Sequence, residues 1–253
     1  MPANTPLPQT PSNDATRFVL LNTSHRGNVG ATARAMKVMG FSDLVLVQPR
    51  YDDVLSHEDS VAMASGAADI LVRARIVGSL AEALDGITYT CATAMTPRDF
   101  GPPTLAPRDL LPGLAAEVLQ GRQRVAFVFG SERFGMRNQD VWCCHACLCI
   151  PTHPDYGSLN LAQAVQLIAY DWRLALGGYL VQDRTTQPLP ADGTDVAAAL
   201  QHWQQVLEQI GFLDPAAPKR LMPRLQQLLN RAQPSREELH ILRGIARAVG
   251  KPK

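Results

Sequence analysis

Three polar constellations in this chain have the residue types and spacing of a ligand site. The first is Asn22-Thr23-Ser24-His25-Arg26-Gly27-Asn28-Val29-Gly30, with Arg34 one helical turn beyond. It lies between an apolar run and a helical pattern, where unpaired N–H groups and a Gly27-x-x-Gly30 turn can cradle an anion. Arg34 adds a planar fork of donors suited to phosphate, and Arg26 and Lys37 are near enough to share that role. The plainer reading makes Asn28 a helix cap, Gly30 a packing residue and Arg34 an ordinary surface arginine. His25 is a candidate general base by residue type but reads as a polar loop residue.

The second constellation is Val128-Phe129-Gly130-Ser131-Glu132-Arg133-Phe134-Gly135. It places Glu132 just past an apolar strand, where binding groups gather in open α/β sheets. The third runs from Ile150-Pro151 to Ser158-Leu159-Asn160-Leu161-Ala162. Two strand-end loops this close in sequence predict one pocket. The three-glycine dinucleotide fingerprint and the Gly-Lys-Ser/Thr ending of a P-loop are both missing, which argues against nicotinamide and nucleotide-hydrolysing enzymes.

Positioning these loops requires alternating strands and helices. Strands are predicted over Phe18–Leu21, Leu44–Val47, Thr88–Ala92 and Arg124–Phe129. A helix over Val29–Met39 ends at Gly40, and another spans Leu110–Leu119. Ser158 is the expected N-cap of a long helix with an apolar face of Leu161, Val165, Ile168, Trp172 and Leu176. Such alternation predicts a parallel sheet covered by helices. Residues 1–16 read as a disordered tail, 17–181 as the sheet domain and 182–194 as a linker. Residues 195–253 read as a small helical domain with three amphipathic segments separated by Pro215, Pro218 and Pro234.

Charge is distributed unevenly. Lys219 to Lys253 carries nine basic residues against Glu237 and Glu238, or +7, so the rest of the chain stands at −6 for a total of +1. A basic tail on an acidic body fits an anionic partner such as nucleic acid, or simply a solvated helix surface. Four of the five cysteines cluster as Cys143, Cys144, Cys147 and Cys149 around His145. A structural zinc site normally joins two ligand pairs from separate turns, so this segment reads as a buried strand with cysteine as a small hydrophobe, and no metal is expected. Neither a signal peptide nor an apolar run of about 18 residues is present, and the free thiols point to the cytoplasm.

Together the three constellations resemble the signature motifs of the SpoU branch of the SPOUT methyltransferases. The matching segments are Asn28-x-Gly30-x-x-x-Arg34 with Met39-Gly40-Phe41, then Val128 to Glu132, then Ile150-Pro151 through Ser158-Leu159-Asn160. Within that branch, Thr23-Ser24-His25-x-Gly27-Asn28, Ala35-Met36-Lys37, Ser158 to Gln166 and Leu242-Arg243-Gly244-Ile245 are similar to the tRNA 2′-O-methyltransferases of the anticodon loop. The resemblance implies a trefoil-knotted parallel sheet, S-adenosylmethionine as methyl donor, a homodimer, and methylation at nucleotide 32, cytidine or uridine. It assigns donor contacts to Thr93, Ala94, Met95, Gly130, Glu132, Ile150, Gly157, Ser158, Leu159 and Asn160. Ala94 and Met95 are apolar, so contacts there come from backbone. Arg34 becomes the catalytic residue, and Asn28, Arg26 and Arg98 face the RNA. A ribosomal RNA methyltransferase of the same fold, a non-catalytic RNA-binding protein and a cysteine-based metal or redox protein are the competing readings.

Overall fold

A computed structural model describes residues 15–95, 99–181 and 188–250. Its contacts divide the chain into two units, Met1–Leu180 and Val181–Lys253. The first is built on strands β1 (Thr16–Leu21), β2 (Asp43–Val47), β3 (Arg75–Val77), β4 (Tyr89–Thr93), β5 (Thr104–Leu105), β6 (Val125–Phe129) and β7 (Ala146–Leu148). They form one sheet in the order β3-β2-β1-β6-β4-β7-β5, and every pairing is parallel. All strands therefore end at the same edge, where the site loops must collect.

Parallel strands covered on both faces read as unbroken apolar runs, and β1 is fully buried. Its Phe18 and Leu20 point into one core with α1 (Arg26–Val38), α5 (Pro107–Leu119) and α7 (Leu161–Ala175). Val19 and Leu21 point into the other, with Ala83 of α4 (Leu80–Ala83) and Val141 of α6 (Asn138–Trp142). Thr16, placed by sequence in the N-terminal tail, opens β1 instead. Its buried hydroxyl accepts from the Trp172 indole at 2.9 Å, a contact made 156 residues away and so invisible to local pattern.

Helix α1 carries the first constellation. It begins one turn earlier than its apolar periodicity indicates, at Arg26, and ends in a Schellman motif: Gly40 N–H bonds the Lys37 carbonyl and Phe41 N–H the Met36 carbonyl, both at 2.9 Å. Gly40 sits at φ +75°, the left-handed conformation that this motif demands. Against α1 packs α2 (Glu58–Ala64), and α3 (Ala68–Arg73) follows. The sequence offered no warning of these short elements, nor of β3 and β5, because they are too brief to show a period.

The N-cap of α7 is Asn160, not Ser158. Gln163 stands three residues after Asn160 and completes a capping box, whereas Ser158 has no such partner at that spacing. In the second unit, α8 (Gly193–Gln209), α9 (Leu221–Ala232) and α10 (Arg236–Val249) surround Ala199, Leu200, Leu229 and Leu239. Asp192 and Ser235 cap α8 and α10, so ordered structure begins within the stretch expected as linker.

Gly30 fixes how closely α1 approaches α2. A Cβ there would lie 2.0 Å from the Ser60 carbonyl oxygen, which only a shift of the helix pair can relieve. Gly30→Ala is expected to cost about 1–3 kcal/mol as overpacking. A urea titration should show a lower midpoint at unchanged slope.

Candidate functional site

The edge where the strands end is organised by one carboxylate. Glu132, just past β6, accepts through Oε2 from the Ser24 backbone N–H at 2.9 Å and the Ser24 hydroxyl at 3.0 Å. Its Oε1 accepts from Asn28 Nδ2 at 2.9 Å. The chain of bonds continues, because Asn28 Oδ1 accepts from Asn160 Nδ2 at 2.9 Å. Asn160 Oδ1 in turn accepts from the Ala162 N–H as the cap of α7. The start of α1 is thus tied to two segments that each lie more than a hundred residues further along the chain.

Burial would by itself raise the Glu132 pKa, but the bonds from Asn28 and Ser24 outweigh it and hold the group below the usual carboxylate range. The clamp is therefore charged at neutral pH. Gly130 makes this turn feasible, since a Cβ there would strike the Gly135 backbone at 2.1 Å.

Beside the clamp lies a cleft of about 430 Å³ at the ends of β4, β6 and β7. Of the residues expected at the donor, Thr93, Ala94, Met95, Gly130, Glu132, Ile150, Gly157, Ser158 and Leu159 all line it. Asn160 lies just behind them in the clamp. The cleft also draws on Phe129, Ser131, Arg133, Phe134, Gly135 and Leu161, which the sequence placed in the motif loops without a donor contact of their own, and on Met136, Leu148, Thr152 and Ala164, to which it gave no site role. Thr93 uses its hydroxyl internally, donating to the Val128 carbonyl at 3.0 Å across the sheet. Ser24 was likewise visible only as part of a motif, because its partner is 108 residues distant.

The basic residues of α1 sort clearly. Arg26, expected to face RNA, forms a two-nitrogen salt bridge to Asp53, with its shorter contact at 2.7 Å, and lies 3.9 Å from the centre of the Tyr51 ring. Lys37 holds Asp69 at 2.6 Å and the Gly66 carbonyl at 2.8 Å. Arg34 is exposed and has no hydrogen bond or ion pair among the described residues. It does not line the cleft. Sequence could not separate these three cations, since the ion pairs that occupy two of them are made 27 and 32 residues away. Asn28 turns inward to the clamp, and Arg98 lies outside the described residues.

The cysteines behave as core residues. Cys91, Cys144 and Cys147 are buried, and burial pushes the Cys91 thiol up and the Cys144 thiol to about 12. Cys143 is exposed on the last turn before β7. No helix among the described residues is long and apolar enough to cross a membrane.

Comparison with known proteins agrees with this arrangement. Residues 15–170 match the SpoU rRNA Methylase family, and residues 194–253 match the C-terminal domain of the tRNA methyltransferase TrmJ. A Pseudomonas aeruginosa relative, the tRNA (cytidine/uridine/adenosine-2′-O-)-methyltransferase TrmJ, is 42% identical over 92% of each chain. The tRNA (cytidine/uridine-2′-O-)-methyltransferase TrmJ of Pectobacterium atrosepticum is 40% identical over 94% of this chain and 98% of its own. The crystal structure of TrmJ from Z. mobilis superposes with a TM-score of 0.78 at 30% identity, covering 93% of this chain and 99% of that one.

A parallel α/β sheet whose strand-end loops close on a cleft beside Glu132 defines a SpoU-type methylase. The chain belongs to the SpoU rRNA methylase family, within its TrmJ group.

The clamp carries a pH signature. A depressed folded-state pKa stabilises the fold above the unfolded value of about 4.5, and that contribution is lost as pH falls through the lower folded value. Glu132→Gln sets an amide NH2 against either the Ser24 donors or the Asn28 donor and is expected to cost about 1–3 kcal/mol at pH 7. The gap between wild type and variant in urea midpoint should narrow as pH drops below 4.5.

Proposed function

We propose that this protein transfers a methyl group to the ribose 2′-hydroxyl of nucleotide 32, cytidine or uridine, in the anticodon loop of tRNA. The observation that carries this reading is the match of residues 194–253 to the TrmJ C-terminal domain. The motif loops encode ribose methylation in general, and that second match favours tRNA over ribosomal RNA as the substrate.

S-adenosylmethionine, the proposed cofactor, supplies a methyl made electrophilic by its sulfonium. The cleft fits such a group. Its volume lies within the usual range of about 300–1,000 Å³ for ligand pockets. Phe129, Leu148 and Leu161 give it a buried apolar floor, while the loops at Gly130 and Gly157 offer backbone polar groups. Thr93 to Met95, Gly130 and Ile150 with Gly157 to Leu159 would hold the donor. Asn28 and Asn160 act through Glu132 and the α7 cap, keeping the donor loops in register with α1.

Arg34 is the proposed catalytic residue, and its lack of partners among the described residues supports that role. A guanidinium stays protonated in proteins and is a poor base. It instead grips an RNA phosphate with two N–H groups and polarises the 2′-oxygen, while the proton leaves through phosphate or water. Held this way beside the cleft, the 2′-oxygen would meet the donor's methyl already oriented, and such positioning would lower the barrier.

Three further elements belong to the proposal. A homodimer is supported by Leu167, Tyr170 and Leu174, an exposed stripe at i, i+3 and i+7 on α7. The knot is supported by the crossing of β7 beyond β4, although β7 follows β6 in the chain. The exposed Arg224 and Arg247 of α9 and α10 suit RNA phosphates, and the cytoplasm, where tRNA and free thiols coexist, is the proposed setting.

Full-length protein with labelled donor and unmodified total tRNA should place label at the 2′-oxygen of nucleotide 32. Arg34→Lys should lower single-turnover rate at least tenfold at unchanged donor affinity, because an ammonium lacks the two-pronged geometry. No label at that position, or an undiminished Lys variant, would contradict the respective assignment.

A further inference from the structure

The turn after β6 lines one side of the donor cleft, yet it also presents side chains to solvent that the clamp does not use. Ser131 and Gly135 pair across it, with N–H to carbonyl distances of 3.1 and 2.9 Å. The Phe134 N–H donates to the Ser131 hydroxyl at 3.3 Å, and Gly135 closes the turn at φ +64°. A turn bonded this way holds its tip in a fixed place. At that tip, on the lip of the cleft, Phe134 is 84% exposed.

Arg133 and Arg137 flank the ring in sequence. Both are exposed, and among the described residues neither forms an ion pair. An exposed aromatic ring with an arginine on either side of it in the sequence, neither in an ion pair among the described residues, matches a polymer that offers flat bases joined by phosphates. It does not match an apolar protein surface, against which two unpaired charges would be desolvated at a loss. The donor has its own apolar floor in Phe129 and Leu148, each 1% exposed, and does not require a ring in solvent.

We propose that Phe134 is a stacking platform for the base of the target nucleotide, with Arg133 and Arg137 holding the phosphates on either side. The inference rests on the reading of this chain as a tRNA ribose methyltransferase and adds how the nucleotide is held. Stacking suits an enzyme that accepts more than one base, since every base presents a π face. A base unstacked from the anticodon loop and laid on Phe134 would leave its ribose near Glu132, two residues away in the chain.

The test uses full-length protein and full-length tRNA transcripts that carry either the base or an abasic residue at nucleotide 32. Equilibrium binding is measured for wild type, Phe134→Leu and Phe134→Trp, alongside donor affinity and sedimentation. Phe134→Leu is expected to weaken tRNA about tenfold and Phe134→Trp to preserve affinity, with oligomeric state unchanged and, because the ring stands on the lip of the donor cleft, a smaller loss of donor affinity than of tRNA affinity. Loss of the base should weaken wild type about tenfold and the Leu variant less than twofold. Equal losses in both proteins, a fall in donor affinity as large as the fall in tRNA affinity, or a change of oligomeric state would overturn the proposal. Wild-type methylation of the same tRNA tests the functional reading separately: coupling without turnover removes that reading and upholds stacking, and turnover without coupling does the reverse.

Discussion

The Glu132 carboxylate is the constraint on which the rest of this site depends. It is partly buried, and burial of a charge is unfavourable unless hydrogen bonds replace lost water. Three donors from Ser24 and Asn28 do so, and the Asn28 amide passes the connection to Asn160. The strand-end loop of β6 is thereby fastened to the start of α1 and to the cap of α7. The donor cleft and the helix bearing Arg34 share this fastening, so their spacing is set by hydrogen-bond lengths rather than by loop flexibility.

The sheet makes that fastening feasible. Because every strand is parallel and β1 pairs directly with β6, the loops bearing Ser24 and Glu132 leave the sheet side by side. Gly30 and Gly130 remove the two Cβ atoms that would force the neighbouring backbones apart. The Schellman motif at Gly40 then stops α1, and Arg173 donates to the last carbonyls at Met39 and Gly40. A cation at a helix C-terminus is favoured by the macrodipole, and this one also lies 4.6 Å from the centre of the Phe41 ring.

Sequence made legible what is local. The apolar runs of β1, β2, β4 and β6 announced the sheet, and Asn28, Glu132 and Asn160 stood out by motif. The bonds among them did not, since each joins residues at least 104 apart. For the same reason Arg26 and Lys37 could not be told from Arg34 until Asp53 and Asp69 were placed. Ser158 outweighed Asn160 as a cap because both are good capping types, and only the reciprocal bond from Gln163 decides between them. The cleft was foreseen as a pair of loops, yet its apolar floor came from Leu148 and Leu161, which carry no chemical signal.

The central claim is that Glu132 and Asn28 work as one unit joining the donor side to α1. A double-mutant cycle with Glu132→Ala and Asn28→Ala, read by donor affinity and single-turnover methylation, tests it most directly. Strong coupling is expected, with the double variant impaired no more than Glu132→Ala alone. Losses that simply multiply would show two independent residues and contradict the account.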